Sequence, residues 1–175
     1  MVAAGSERRR YLPNSTGCFV CGETNQAGLQ ARFYVEDGIV KTPFTVRPEH
    51  CGYENVAHGG VLAAALDECM AWAAARAIKR CCVTAELTVR YVKRVSGDAR
   101  LTVVAEVIKS NRRLACVRGA IEDEAGACYA RAEGKFMPLS VEETLAVDDG
   151  LIYRGGEERV FDVLRAARAG TTAQT

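Results

Sequence analysis

The stretch 58–80 constrains this chain more than any other part of it. It opens His58-Gly59-Gly60, after which Val61, Leu62, Ala65, Leu66, Cys69, Met70 and Ala73 recur at three- and four-residue spacing. That spacing is the signature of an amphipathic helix packed on something large. Ala63, Ala64, Ala71, Ala74 and Ala75 keep the remaining surface slim. Such a helix accepts close neighbours on nearly every side and belongs at the centre of a fold, with a sheet around it. Lys79 and Arg80 fall in the last turn, where positive charge suits the helix dipole. At the other end, the first turn exposes backbone N–H groups with no intrahelical partner, and glycine lets a ligand approach them closely. Anions and developing oxyanions are stabilised in such a place.

Two carboxylates, Asp67 and Glu68, stand inside the apolar pattern. Charge is tolerated in the inner turns of a buried helix when it is paired or functional. One of the two is expected at the edge of the apolar stripe.

The flanking sequence supplies the sheet. Residues 28–35 alternate as a first strand, Glu36-Asp37-Gly38 is a hairpin turn, and 39–46 return as a second strand. Pro43 inside that run points to an edge position or a bulge. A loop over 47–57 leads into the helix. Four strands follow, at 83–95, 101–108, 114–122 and 127–137, with turns at Ser96-Gly97-Asp98, Ser110-Asn111 and Asp123-Glu124-Ala125-Gly126. Leu87, Val89 and Tyr91 share one face of the first of these, and Glu86, Thr88 and Arg90 the other. The predicted fold class is therefore α+β, an antiparallel sheet wrapped around one long central helix. Residues 1–16 read as a flexible terminus, 17–138 as the domain, and 139–175 as an extension carrying a short helix over 157–169.

Composition narrows the function. A 175-residue chain is long enough for one domain with a real core. A formal charge of +1 argues against a nucleic-acid or membrane-surface binder. The longest apolar run is interrupted by Asp67 and Glu68, so no membrane span is expected. Arg8-Arg9-Arg10 is followed by no apolar core of a secretory signal, and a cytoplasmic location is the expectation.

Eight cysteines in such a compartment are expected as reduced thiols. Cys69, Cys116 and Cys128 sit in apolar patterns as small core residues. Cys18-Phe19-Val20-Cys21-Gly22 has metal-like spacing, and its one obvious complement in the sequence is His50-Cys51. A single pair without a second clear pair favours a metal-free turn, so no metal ligand and no cofactor is expected.

The order of elements, with His58-Gly59-Gly60 opening the helix and Asp67 eight residues after the first glycine, resembles the hotdog-fold acyl-thioesterases. Within them it is most similar to the phenylacetate-pathway group. Cys18-x-x-Cys21-Gly22 with Asn25 and Gly28-Leu29, and His50-Cys51-Gly52-Tyr53, resemble segments found in many hotdog proteins. The likeness covers residues 17–138. It implies hydrolysis of an acyl thioester, either acyl-CoA or an acyl-carrier-protein thioester, to free acid and thiol. It also implies sites formed between two subunits, in a homodimer or a dimer of dimers.

Spacing agrees with shared sites, because eight helical residues separate Gly59 from Asp67 by about 12 Å along the axis. One thioester does not meet both on the same helix, so the carboxylate serves a site whose oxyanion donor comes from another chain. The Gly59 or Gly60 N–H would stabilise the oxyanion. Asp67 would activate water as a general base, or attack directly and form an anhydride. The resemblance makes Glu68 the second carboxylate to consider and gives Thr84 a hydroxyl that orients water or carboxylate. His58 would position the loop by hydrogen bonding. Some relatives place an Asn six residues before the His, where this chain has Gly52; Asn55 is the nearby polar side chain for substrate contact. Arg90, Lys93, Arg94, Arg112 and Arg113 are the cations for CoA phosphates. Trp72 is read as core. The alternatives are an acyl-thioester-binding protein of the same fold without hydrolysis, a hotdog hydratase or dehydratase, and a zinc-stabilised interaction module.

Overall fold

The structure is a computed structural model that describes residues 9–97 and 99–172. Asp98 of the expected 96–98 turn, and the outermost residues of both termini, lie outside them. In chain order the elements are β1 (Arg10–Tyr11), β2 (Asn14–Ser15), β3 (Tyr34–Glu36), β4 (Ile39–Thr45), β5 (Cys51–Tyr53), β6 (Val56–Ala57) and α1 (Gly59–Ile78). Then come β7 (Cys82–Tyr91), β8 (Arg100–Ser110), β9 (Ala115–Asp123), β10 (Cys128–Pro138), α2 (Val141–Asp149), β11 (Leu151–Ile152) and α3 (Asp162–Thr172).

Helix α1 is where the sequence puts it. His58, in extended conformation, caps its start, and Lys79 ends it in the left-handed region at φ 60°. A seven-stranded antiparallel sheet in the order β1-β3-β4-β8-β9-β10-β7 wraps around it. Leu66, Cys69 and Met70 are fully buried against the inward residues Val103, Val117, Ile121 and Phe136. The close approach is made on glycine: a Cβ at Gly119 would lie 3.0 Å from Met70 Cγ, and one at Gly134 3.1 Å from Met70 Cε. At these points the Met70 side chain packs directly on the sheet backbone, in space that a side chain at either glycine would take. This is the hotdog arrangement, an α+β fold with one central helix.

Local departures have local causes. The first strand shrinks from 28–35 to Tyr34–Glu36, because Leu29 and Ala31 spend their N–H groups on the carbonyls of Phe19 and Val20. Pro43 lies in a strand with two neighbours, yet β3 pairs only as far as Lys41. Beyond Lys41, β4 has β8 as its one strand partner, and a missing N–H there costs no ladder bond on the other side. The loop over 47–57 contains a small hairpin, β5–β6, turned by Asn55 at φ 54°.

Residues 10–15 form strands where a loose terminus was expected. Leu12 is fully buried, and β1 extends the main sheet through Arg10–Val35 and Tyr11–Tyr34 pairs. The extension folds back as well. Ser140 and Glu143 close a capping box that starts α2, β11 pairs with β2, and the last helix begins at Asp162. Val160 and Phe161 are buried in the core, and Glu158 meets Arg76 of α1 at 3.0 Å.

Candidate active site

The start of α1 is held from three directions. His58 N–H donates to the His50 carbonyl at 2.9 Å, and His58 Nδ1 accepts the Gly60 N–H at 2.9 Å. The Tyr91 hydroxyl, from the end of β7, donates to the Gly59 carbonyl at 2.8 Å. The cap consumes the Gly60 amide, whereas the Gly59 N–H has no partner among the described residues. Of the two glycines named from the sequence, Gly59 is thus the one with a free donor. Its missing side chain also has a reason, since a Cβ there would lie 3.3 Å from Tyr91 Oη. Gly59, Leu62, Tyr91, Lys93 and Arg94 line an open cleft of about 330 Å³.

Gly52 stands six residues before His58, and its environment favours glycine. A Cβ at Gly52 would come within 2.9 Å of His58 Cδ2. The capping ring occupies the space that a larger residue would need. Asn55 is committed to the loop, accepting the Gly97 N–H at 2.9 Å through Oδ1.

Two turns further along α1 the carboxylates part company. Asp67 faces the sheet edge, and Thr84 Oγ1 of β7 donates to its Oδ1 at 2.6 Å. The strand is irregular at that spot: Glu86 pairs with Lys135 and Thr84 with Phe136, so Ala85 is an extra, bulged residue. Bulges re-aim neighbouring side chains, and here the neighbour is Thr84.

Glu68 turns away from that edge, toward the 18–21 loop. Its Oε1 accepts from Cys21 Sγ at 3.2 Å and Cys18 Sγ at 3.8 Å. Burial, then the negative charge of Cys18, push its carboxyl up to about 7. The hydrogen bond from Cys21, with backbone N–H groups, pulls Cys18 down to about 5, and the same bond with burial pushes Cys21 up. Burial likewise raises Cys81 to about 12 and Cys82 to about 11, as expected of unreactive thiols.

Residues 54–130 match the family model of the thioesterase superfamily. Over that stretch, less than half of the chain, it is similar to that superfamily. It is similar to a solved thioesterase superfamily protein at 26% identity, with a TM-score of 0.64, covering 69% of this chain and 62% of that one. It thus spans less than two thirds of that relative's length. The E. coli PaaI protein from the phenylacetic acid degradation operon matches at 19% identity and TM-score 0.59, over 64% of this chain and 81% of that one. A Bacillus halodurans protein solved with CoA matches at 28% and 0.52, over 56% of this chain and 70% of that one. No curated protein matches the sequence.

The expected site residues fall into separate groups. Asp67 and Thr84 are together, as are His58 and Gly60. Gly59 adjoins Lys93 and Arg94. Arg90 faces elsewhere, lining a broad groove on the outer sheet face with Glu86, Thr88 and Arg131. Arg112 and Arg113 sit in the β8–β9 turn, at the end of the sheet where β7 begins and away from Gly59. Tyr91 was missed: in the sequence it is only the last apolar member of an alternating strand.

Proposed function

We propose that this chain hydrolyses an acyl thioester, with acyl-CoA as the favoured substrate class, at sites shared by two copies of the chain. The observation that carries the reading is the 2.6 Å bond from Thr84 to Asp67 at the sheet edge. It holds a carboxylate ready in a place that the free Gly59 amide of the same helix does not reach. The two half-sites come together when a second copy lies against β7. That strand is the last in the sheet order, and Val83 and Tyr91 on it are half exposed. Such an edge invites pairing, and two-fold pairing of equivalent edges yields two equivalent sites.

In this arrangement the thioester carbonyl oxygen accepts the Gly59 N–H. Negative charge gathers on that oxygen as the carbonyl carbon becomes tetrahedral, and the helix start stabilises it. Thr84 fixes Oδ1 of Asp67, leaving Oδ2 to take a proton from water or to attack the carbon itself. Collapse breaks the C–S bond and expels the thiolate, which takes up the proton lost by water. On the nucleophilic route, water then opens the Asp67 anhydride, freeing the acid and restoring the carboxylate. Lys93 and Arg94 beside the cleft provide positive charge for the phosphates of a CoA thiol. The solved Bacillus halodurans relative with CoA supports that ligand class.

The test is turnover of short, long and aromatic acyl-CoA by mass spectrometry, parent against Asp67→Asn. Thiol dyes would react with the chain's own cysteines. Turnover that drops about a hundredfold or more in the variant supports the reading. Saturable binding without turnover across the panel would move it to an acyl-thioester-binding protein, the alternative that Gly52 in place of Asn favours.

A further inference from the structure

The Cys18-x-x-Cys21 loop does not find its complement in His50 and Cys51. Cys51 Sγ donates to the Arg47 carbonyl at 3.7 Å, and the His50 ring lies against Arg47. The complement is Glu68, which reaches the loop from the middle of α1. Cys18 Sγ, Cys21 Sγ and a Glu68 oxygen all lie within 4.8 Å of one another, the one such group of possible metal ligands among the described residues.

The spacing suits a tetrahedral ion. Zinc–sulfur bonds of about 2.3 Å and zinc–oxygen bonds of about 2.1 Å at tetrahedral angles put sulfur and oxygen ligands about 3.6 Å apart. The two sulfur-to-oxygen distances here, 3.2 and 3.8 Å, bracket that value. The loop is also folded for a thiolate. Val20 N–H points at Cys18 Sγ at 3.3 Å and Cys21 N–H at 3.5 Å, the hydrogen bonding that metal-bound sulfur receives from its surroundings. Gly22 N–H closes the turn on the Cys18 carbonyl at 2.9 Å, and a Cβ at Gly22 would stand 2.2 Å from that oxygen. Glu68, for its part, has no Lys, Arg or His ion-pair partner among the described residues.

We propose that Cys18, Cys21 and Glu68 bind a zinc-class divalent cation that fastens the 18–31 loop to the central helix. Two sulfur donors select a borderline-soft ion over magnesium or calcium, which take oxygen ligands. Three protein ligands leave one position for solvent or an added ligand. The role is structural: the ion sits on the face of α1 away from Thr84, beside Asp67 in sequence but serving a different neighbour. The inference stands independently of the proposed hydrolysis.

The experiment is cobalt and zinc titration of the full chain after chelator stripping under reducing conditions. One cobalt per chain is expected, with sulfur-to-cobalt charge transfer and tetrahedral d–d bands that zinc abolishes, and zinc should raise the melting temperature. Cys21→Ser should lose the sulfur signature. Glu68→Gln, which keeps the shape of the side chain and both thiols, should lower affinity about tenfold or more. Cys116 lies half-buried in the groove on the outer sheet face and not in the core that its apolar pattern suggested, so Cys116→Ser should behave as the parent. Binding without sulfur charge transfer, equal affinity in parent and Glu68→Gln, or a reduced chain that takes no metal would each overturn the proposal. A Cys18–Cys21 disulfide that persists in the purified protein, with no metal uptake after its reduction, would overturn it in favour of a redox pair.

Discussion

Thr84 and Asp67 lie on different elements and are joined by a hydroxyl-to-carboxylate bond of 2.6 Å. If that bond orients the acting carboxylate, Asp67→Asn should cut kcat by about a hundredfold to ten-thousandfold. Thr84→Ala should cost kcat more than KM, and Thr84→Ser should restore most of it. Steady-state kinetics on an accepted acyl-CoA checks the order; an alanine variant as fast as the parent would remove Thr84 from the mechanism.

Sharing of sites between chains has a numerical signature. Gly59→Val fills the space in front of Tyr91 and Asp67→Asn removes the carboxylate, so each homodimer should be inactive. Mixed after unfolding and refolding in equal amounts, half the dimers carry one chain of each kind, and one of their two sites is intact. The mixture should regain about a quarter of parental specific activity. No recovery, with mixed dimers verified by native mass spectrometry, would place both groups in one chain's site.

Lys93 and Arg94 line the cleft that opens at Gly59. Arg94→Glu should raise KM for acyl-CoA about tenfold and leave kcat within about twofold, with the penalty shrinking in high salt. The same variant tested on an acyl-pantetheine, which lacks the nucleotide phosphates, should show little change in KM.

Glu36 accepts from Lys41 and Arg9, and these bonds hold its carboxyl down to about 2. A folded-state value below the unfolded one means that the stabilisation is present above about pH 4.5 and is lost as pH falls toward 2. Glu36→Gln should flatten that part of the melting temperature against pH curve and leave its slope above pH 6 unchanged. Thermal melts in matched ionic strength check it.

Gly119 lies under Met70, where an added Cβ would be 3.0 Å from both Cγ and Sδ. Gly119→Ala should destabilise by about 1–3 kcal/mol through overpacking. Met70→Ala alone should cost about 2–5 kcal/mol. In the double variant the alanine at 119 should cost less than it does alone, because the clashing side chain is gone. Urea denaturation of the four proteins measures this coupling.

The helix and the four strands after it were legible because each carries a clean period over many residues, 3.6 in 59–78 and two in the strands. β1 and β2 were not, since two-residue strands are shorter than any period; their pairing comes from the burial of Leu12. Ser140-Val141-Glu142-Glu143 carries the capping-box pattern that starts α2. Asp67 and Glu68 show the limit more sharply. Adjacent on a helix, they point about 100° apart, and which neighbour each meets is decided by β7 and the 18–21 loop, 17 and 47 residues away. Similarly, the occupation of the Gly60 amide by His58 follows from a ring rotamer, which no spacing rule contains.

Val160 and Phe161 are fully buried among residues of the domain proper. A nascent chain that has emerged only as far as Pro138 possesses every long strand and the whole of α1, yet leaves open the hollow that these two side chains fill. On the ribosome, therefore, the sheet can form early but the interior is sealed only after synthesis has passed Phe161. Until then the apolar surface beneath it is offered to chaperones, and any truncation or stalled product ending before residue 160 should be held by them rather than released folded.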